Sequence, residues 1–319
     1  MQYDALRVTR RSALAGMATL IAATGTAGAQ SAPVPLTIGA PPNDASGPIY
    51  FAEDLGYYKK AGLVTTLTMM NNPAPITTAV ISGSITIAGM PIPLIAVARD
   101  KGLPIVMVAP LGVYVSAAPD RGLVVLKDSP LKKASDLNGK TVAVRDLGNM
   151  AFFGAKVWID KNGGDSKAVK WIEAPDTVDL AALQSGRIDA ASISEPALDA
   201  ALKTGDVRII APVYDAIAPR FLIAACVCAE SFAKANPQLI RTYADVIAAT
   251  AKWANANQAK TAPIVEKYSN AVIAPGATRS LFAERLRVAD VQPLLDVLYT
   301  SGQIKTPAKA ADLFAPGVM

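Results

Sequence analysis

Ala79-Val-Ile-Ser-Gly-Ser-Ile-Thr-Ile-Ala88 and Ala182-Leu-Gln-Ser-Gly-Arg-Ile-Asp-Ala-Ala191 are two versions of one local phrase. Each reads as the end of a helix, a Ser-Gly stop and the start of a strand. A proline follows each within a few residues, Pro91 or Pro196, and opens the next helix at its first position, where a missing N–H breaks no intrahelical bond. Helix-Gly-strand junctions are common. Here they stand at equivalent points of two successive βα series, which favours two similar lobes.

Outward from the first phrase, apolar spacing predicts strands at 36–39, 63–70, 85–88 and 105–109. Helices are predicted at 49–60, 75–82 and from Pro91 to Gly102. Around the second phrase the strands are 140–144, 169–173, 189–194 and 207–211. The helices are 149–161, 177–185 and 196–203, with a helical turn at 135–137. Beyond residue 228 the pattern is wholly helical. Such alternation argues for an α/β layer structure with a mostly parallel sheet.

The chain has 319 residues, enough for about two domains at roughly 150 residues each. It has no histidine, which excludes Ser-His-Asp and Cys-His nucleophile systems and any zinc site that uses imidazole. Two cysteines cannot make a Cys₄ site. Carboxylate-only catalysis, lysine chemistry and oxygen-ligated metals stay open. A net charge of +5 points at first to nucleic acid or membrane, but no basic-aromatic run of the nucleic-acid-binding kind is present.

Residues 1–29 read as an export signal: Arg7, Arg10 and Arg11, then an apolar Ala-rich stretch, then Ala27-Gly28-Ala29 as a cleavage site before Gln30. The apolar stretch is shorter than the roughly 20 residues of a membrane span. Thr9-Arg-Arg-Ser-Ala-Leu14 resembles the twin-arginine motif, with Ala13 where a bulky residue is usual, and Sec export stays open. Either route implies a bacterial-type periplasm or the cell exterior, and a periplasmic protein is the expectation. Cys226 and Cys228 lie in an apolar run at 221–228 that reads as one buried strand, and the spacing favours two free thiols over a disulfide.

Gly47-Pro-Ile-Tyr-Phe-Ala-Glu-Asp-Leu-Gly-Tyr-Tyr-Lys-Lys-Ala-Gly-Leu63 resembles the opening signature of the nitrate/sulfonate/taurine group of ABC-transporter periplasmic substrate-binding proteins. Residues 82–89 are similar to that group's "Gly-x-Ile-Asp-Ile-Ala" phrase, with Thr86 where Asp is usual. Residues 135–144 and the run from Ala182 through Glu195-Pro196 are similar to two more of its phrases. The resemblance spans roughly 36–265. It implies a type II periplasmic-binding fold: two α/β lobes with a cleft between them, joined by two crossovers near 122–127 and 219–227. Lobe one is then 33–124 plus 220–319 and lobe two is 125–219. It also implies an ABC permease with a cytoplasmic ATPase as partner, and proteins of this type usually work as monomers.

Ligands of open parallel sheets gather at the carboxyl ends of strands, beside helix N-termini. That rule selects Asn43 and Ser46 after the first strand, which read equally as turn and N-cap residues, and Asn71 and Asn72 after the second. Met90 and Pro91 follow the third strand, a junction that lines the pocket in the resembled group. In lobe two it selects Arg145, Asp146, Asn149 and Met150. Arg145 would clamp a carboxylate or sulfonate if it faces the cleft, or stand solvated or paired with Asp146 if it faces out. Tyr114 would cover a ligand or pack at the lobe junction. Glu195 would accept from a nitrogenous ligand, or satisfy backbone N–H groups at a helix start, the favoured reading. No catalytic residue, metal or cofactor is expected.

The leading expectation is a periplasmic solute-binding protein for a small organic anion or nitrogenous ring compound, not an enzyme. The alternatives are a pyrimidine-precursor enzyme on the same fold, a type that uses His and clustered Cys, and a periplasmic sensor-input binder.

Overall fold

Residues 35–70, 75–117, 119, 121–147, 150–195, 197–269, 272–273, 275–276 and 278–319 are described by a computed structural model. The expected signal at 1–29, Asn71, Asn72, Asn149 and Pro196 lie outside them. The first series runs β1 (Leu36–Ala40), α1 (Gly47–Asp54), α2 (Tyr57–Lys60), β2 (Thr65–Met69), α3 (Ile76–Ser82), β3 (Ile87–Pro91), α4 (Ile92–Asp100) and β4 (Ile105–Pro110). Strands β5 (Gly112–Val115) and β6 (Arg121–Leu126) lead to the second series: β7 (Thr141–Val144), α5 (Met150–Lys161), β8 (Lys170–Glu173), α6 (Asp176–Gln184), β9 (Ala190–Ser194), α7 (Ala197–Lys203) and β10 (Val207–Ala211). The chain returns through β11 (Arg220–Leu222) and β12 (Ala224–Ala229). It ends in α8 (Glu230–Ala235), α9 (Pro237–Ala256), α10 (Gln258–Ser269), β13 (Leu281–Phe282) and α11 (Val288–Thr300).

Two five-stranded sheets share one plan. The first has the order β2-β1-β3-β12-β4 and the second, read from its other edge, β8-β7-β9-β6-β10. In each, the fourth strand is antiparallel to both neighbours and the first three pair in parallel. Each fourth strand is the one that carries the chain between the sheets. A small sheet, β11-β5-β13, lies at the passage. Both sheets belong to one compact unit, Val34–Met319.

The two matching phrases occupy equivalent places, α3 into β3 and α6 into β9. Gly83 and Gly186 both stand at positive φ, 78° and 70°, a turn that other residues adopt only under strain. The next detail repeats too. Thr86 N–H donates to Thr37 O at 2.8 Å, while Thr86 Oγ1 accepts the Thr37 N–H at 3.2 Å. Asp189 does the same with Thr141, at 2.9 Å in both directions. Thr86, the departure from the family phrase, thus keeps the acceptor role of the usual Asp.

Several expectations are corrected. The helix predicted over 49–60 is two, because Gly56 turns to φ 67° between them. The strand at 221–228 breaks at Ile223, whose carbonyl instead accepts the Ile92 N–H at the start of α4. Strands β5 and β6 were absent from the predicted pattern, and the tail carries the two-residue strand β13. Strand β6 pairs with β9 and β10 along residues 121–126.

One hydrophobic core runs from the first sheet through the passage to the α5 side of the second. A smaller one fills the other face of the second sheet, with Val124, Ala182, Leu183, Ala191 and Ile193. Cys226 and Cys228 are buried free thiols. Burial pushes both up to about 12, and Cys226 Sγ lies 3.3 Å from the Tyr243 hydroxyl. Among the described residues no helix is long and apolar enough to cross a membrane.

Replacing Thr86 by Val leaves the Thr37 N–H without its partner and is expected to cost roughly 1 kcal/mol by urea denaturation, whereas Thr86→Asp, copying Asp189, stays near wild type. A thiol reagent added to native protein should find neither cysteine, and both once denaturant is added.

Candidate functional site

Of the described candidates, Asn43, Ser46, Met90 and Pro91 lie at or just beyond the carboxyl ends of β1 and β3, and Arg145, Asp146 and Glu195 beyond those of β7 and β9. After β1 the chain makes a short 3-10 turn, Asp44–Ser46, that feeds α1. Asn43 is its N-cap: the Asn43 side chain accepts the Ser46 N–H at 3.0 Å, and Asn43 O accepts the Tyr50 hydroxyl at 2.6 Å. Ser46 is buried. Asp44 accepts two bonds from Arg279, at 3.0 and 2.6 Å, and a third from the Ser280 N–H at 2.8 Å. Arg279 is buried, so its forked charge cancels Asp44 inside the protein and fixes the loop from 235 residues away. Beside it, Met90 is fully buried and Pro91 is the N-cap of α4.

On the second sheet, Arg145 and Asp146 are exposed beyond β7. The Leu147 N–H donates to Glu173 Oε1 at 2.9 Å and so ties that loop to β8. Met150 is buried at the start of α5. Glu195 Oε2 accepts the Asp199 N–H at 3.1 Å, which is the helix-start use. Arg121 donates to Ser194 Oγ at 3.2 Å and lies 4.8 Å over the Tyr214 ring. Asp176 Oδ2 accepts the Ser194 N–H at 3.2 Å.

Tyr114 is buried at the passage, its ring against Tyr214 and Phe221 at 5.2 and 5.3 Å. Its hydroxyl donates to Asp215 at 2.7 Å, and Ser116 donates to the same carboxylate oxygen. The candidates therefore divide. Asn43, Glu195 and Tyr114 make bonds that the fold needs, Met90 and Met150 are packed, and Arg145 and Asp146 stand open to solvent. Sequence reasoning missed Arg279, Arg121, Asp176 and Asp179. The first two carry no local signal. Asp179 carries one: it is acidic on the helix face that also holds Ala182 and Leu183. Among the described residues no group of three or more Cys, Asp or Glu could hold a metal ion.

A family model described as NMT1/THI5 like matches residues 43–261, well over half of the sequence. The chain belongs to the NMT1/THI5-like family. No curated protein matches it. Among solved structures, this family member is similar to the periplasmic aliphatic sulphonate binding protein SsuA from Escherichia coli. The TM-score is 0.71 at 16% identity, over 90% of this chain and 99% of that one. It is similar to the periplasmic nitrate-binding protein NrtA from Synechocystis PCC 6803, with TM-score 0.67 and 13% identity over 88% and 85%. It is also similar to the desulfurization enzyme DSZB, with TM-score 0.65 and 15% identity over 89% and 97%. The NMT1/THI5-like chain thus has the type II periplasmic-binding fold.

Arg279→Leu strands the Asp44 carboxylate at the start of α1. It is expected to lower stability by about 2–3 kcal/mol in urea denaturation, with part of the loss recovered by adding Asp44→Asn.

Proposed function

We propose that the protein is an exported solute-binding component of an ABC importer, capturing a small organic anion or nitrogenous ring compound between the two strand-end edges. The two sheets are the cores of two lobes. Lobe one holds residues up to the passage before Arg121 together with 220–319, and lobe two the residues between. The observation that carries the reading is the exposed Arg145 at the carboxyl edge of a sheet whose twin presents the rigid Asn43–Ser46 turn. A planar guanidinium on such an edge suits a carboxylate, sulfonate or nitrate, and binding would shift an open–closed equilibrium. Asn71, Asn72, Pro91, Asp146 and Asn149 complete the proposed lining. The sulphonate and nitrate binders that share the fold support this class of solute. Residues 1–29 are the proposed export signal, which makes the protein periplasmic, and the partners are the permease and its ATPase.

DSZB, an enzyme on the same fold, favours a second reading, catalysis at the same edge. Steady turnover of an aromatic sulfinate or an aminopyrimidine by the purified protein would replace the transport reading.

A thermal-shift screen of the exported protein against sulfonates, aromatic carboxylates, nitrate, aminopyrimidines and flavins tests the proposal. A true solute at a hundredfold excess over its Kd stabilises the fold by about 3 kcal/mol. Arg145→Ala should remove that shift for an anion while leaving the ligand-free melting temperature unchanged. A broad panel with no stabilising member would sink the reading.

A further inference from the structure

Behind the Ser194–Glu195 turn, two carboxyls present more acceptor atoms than the fold uses. Asp176 and Asp179 are three residues apart on the first turns of α6, so they share a face. Asp179 is 0% exposed, and neither of its oxygens has a hydrogen-bond partner. Asp176 Oδ1 is equally buried and unpartnered, while Oδ2 takes the Ser194 N–H. Asp179 lies on the face of α6 that sends Ala182 and Leu183 into the small apolar core with Val124, Ala191 and Ile193.

The charged groups on the packed elements are engaged elsewhere. Strand β6 contributes Arg121, which bonds Ser194 Oγ and covers Tyr214. Ser194 shares its strand face with Ser192, whose hydroxyl reaches Ala151 O on α5, so Arg121 lies on the side of the sheet away from α6. Helix α7 contributes Asp199 and Lys203, paired with each other at 2.6 Å. Strand β9, Ala190–Ser194, brings no titratable side chain. Glu195 caps α7.

Three carboxylate oxygens thus have neither solvent contact nor a hydrogen-bond donor. We propose that Asp176 and Asp179 hold one proton between them and that this shared proton makes the edge of the second sheet responsive to pH. The proton gives Asp179 a donor and Asp176 Oδ1 a partner, and it removes the repulsion of two charges one turn apart. Its loss puts a second negative charge against the carboxylate that holds the Ser194 N–H. Burial, and next the Asp176 charge, raise Asp179 from 3.8 to about 7. The folded value lies above the unfolded one, so the stability present at acid pH is lost as pH rises from 3.8 through about 7. The chain has no histidine, so no side chain of ordinary pKa competes in the upper part of that window. The shared proton is independent of whether a solute binds.

The test is an infrared pH titration of the exported protein with thermal melts in parallel. At about pH 6 wild type should show one protonated-carboxyl band that fades by about pH 8.5, with a fall in melting temperature of roughly 5 °C. Asp179→Asn should lack both the band and most of the fall. Asp176→Asn should keep a band that fades at lower pH than in wild type, since the neighbouring charge that helps to raise Asp179 is gone. Should Asp179→Asn fail to fold, Asp179→Leu fills the apolar site and should melt higher than wild type at about pH 8.5. A folded wild type with no protonated-carboxyl band at about pH 6, or an Asp179 variant with an unchanged pH profile, overturns the proposal.

Discussion

The Asp215 carboxylate holds the two passages of chain between the sheets together. It accepts from Tyr114 and Ser116 on the outgoing passage and itself belongs to the returning one. The Ser116 N–H adds a bond to Pro219 O, and β5 pairs with β11 from Val113 to Val115. Rings of Tyr114, Tyr214 and Phe221 fill the space between, all within 5.5 Å of one another. The polar bonds and the packed rings fix the two passages against each other at this one place.

The sequence made the repeated unit legible because the phrase at 79–88 and its twin at 182–191 use the same physical devices: an apolar helix end, a glycine at positive φ and an acceptor side chain at the strand start. Those are local, and local patterns survive in a single sequence. Thr86 shows how far such reading goes. It departs from a family phrase, yet its hydroxyl does the backbone work that Asp189 does in the other sheet.

What stayed hidden is non-local. Strand β6 hides because its apolar run is short and both its partners, β9 and β10, come far later in the chain. The Arg279–Asp44 clamp joins residues 235 apart. The candidate list was legible only as positions at strand ends. Whether a side chain there faces a ligand or caps its own helix depends on bonds a sequence does not state, and Asn43 and Glu195 both make the second kind. Asp179 is the reverse case, a local signal passed over because a single acid on a helix is ordinary until its burial is known.

The place of β12 between β3 and β4 has a consequence for how the molecule comes into being. All five strands of the second sheet lie in one uninterrupted stretch, from Arg121 to Ala211, and they can pair as soon as that stretch exists. The first sheet cannot close so early. Strands β3 and β4 are joined only through Ala224–Ala229, which follows the whole second sheet in the chain. The half of the polypeptide made first is thus the last to be finished, and its unpaired strand edges wait the longest for cover.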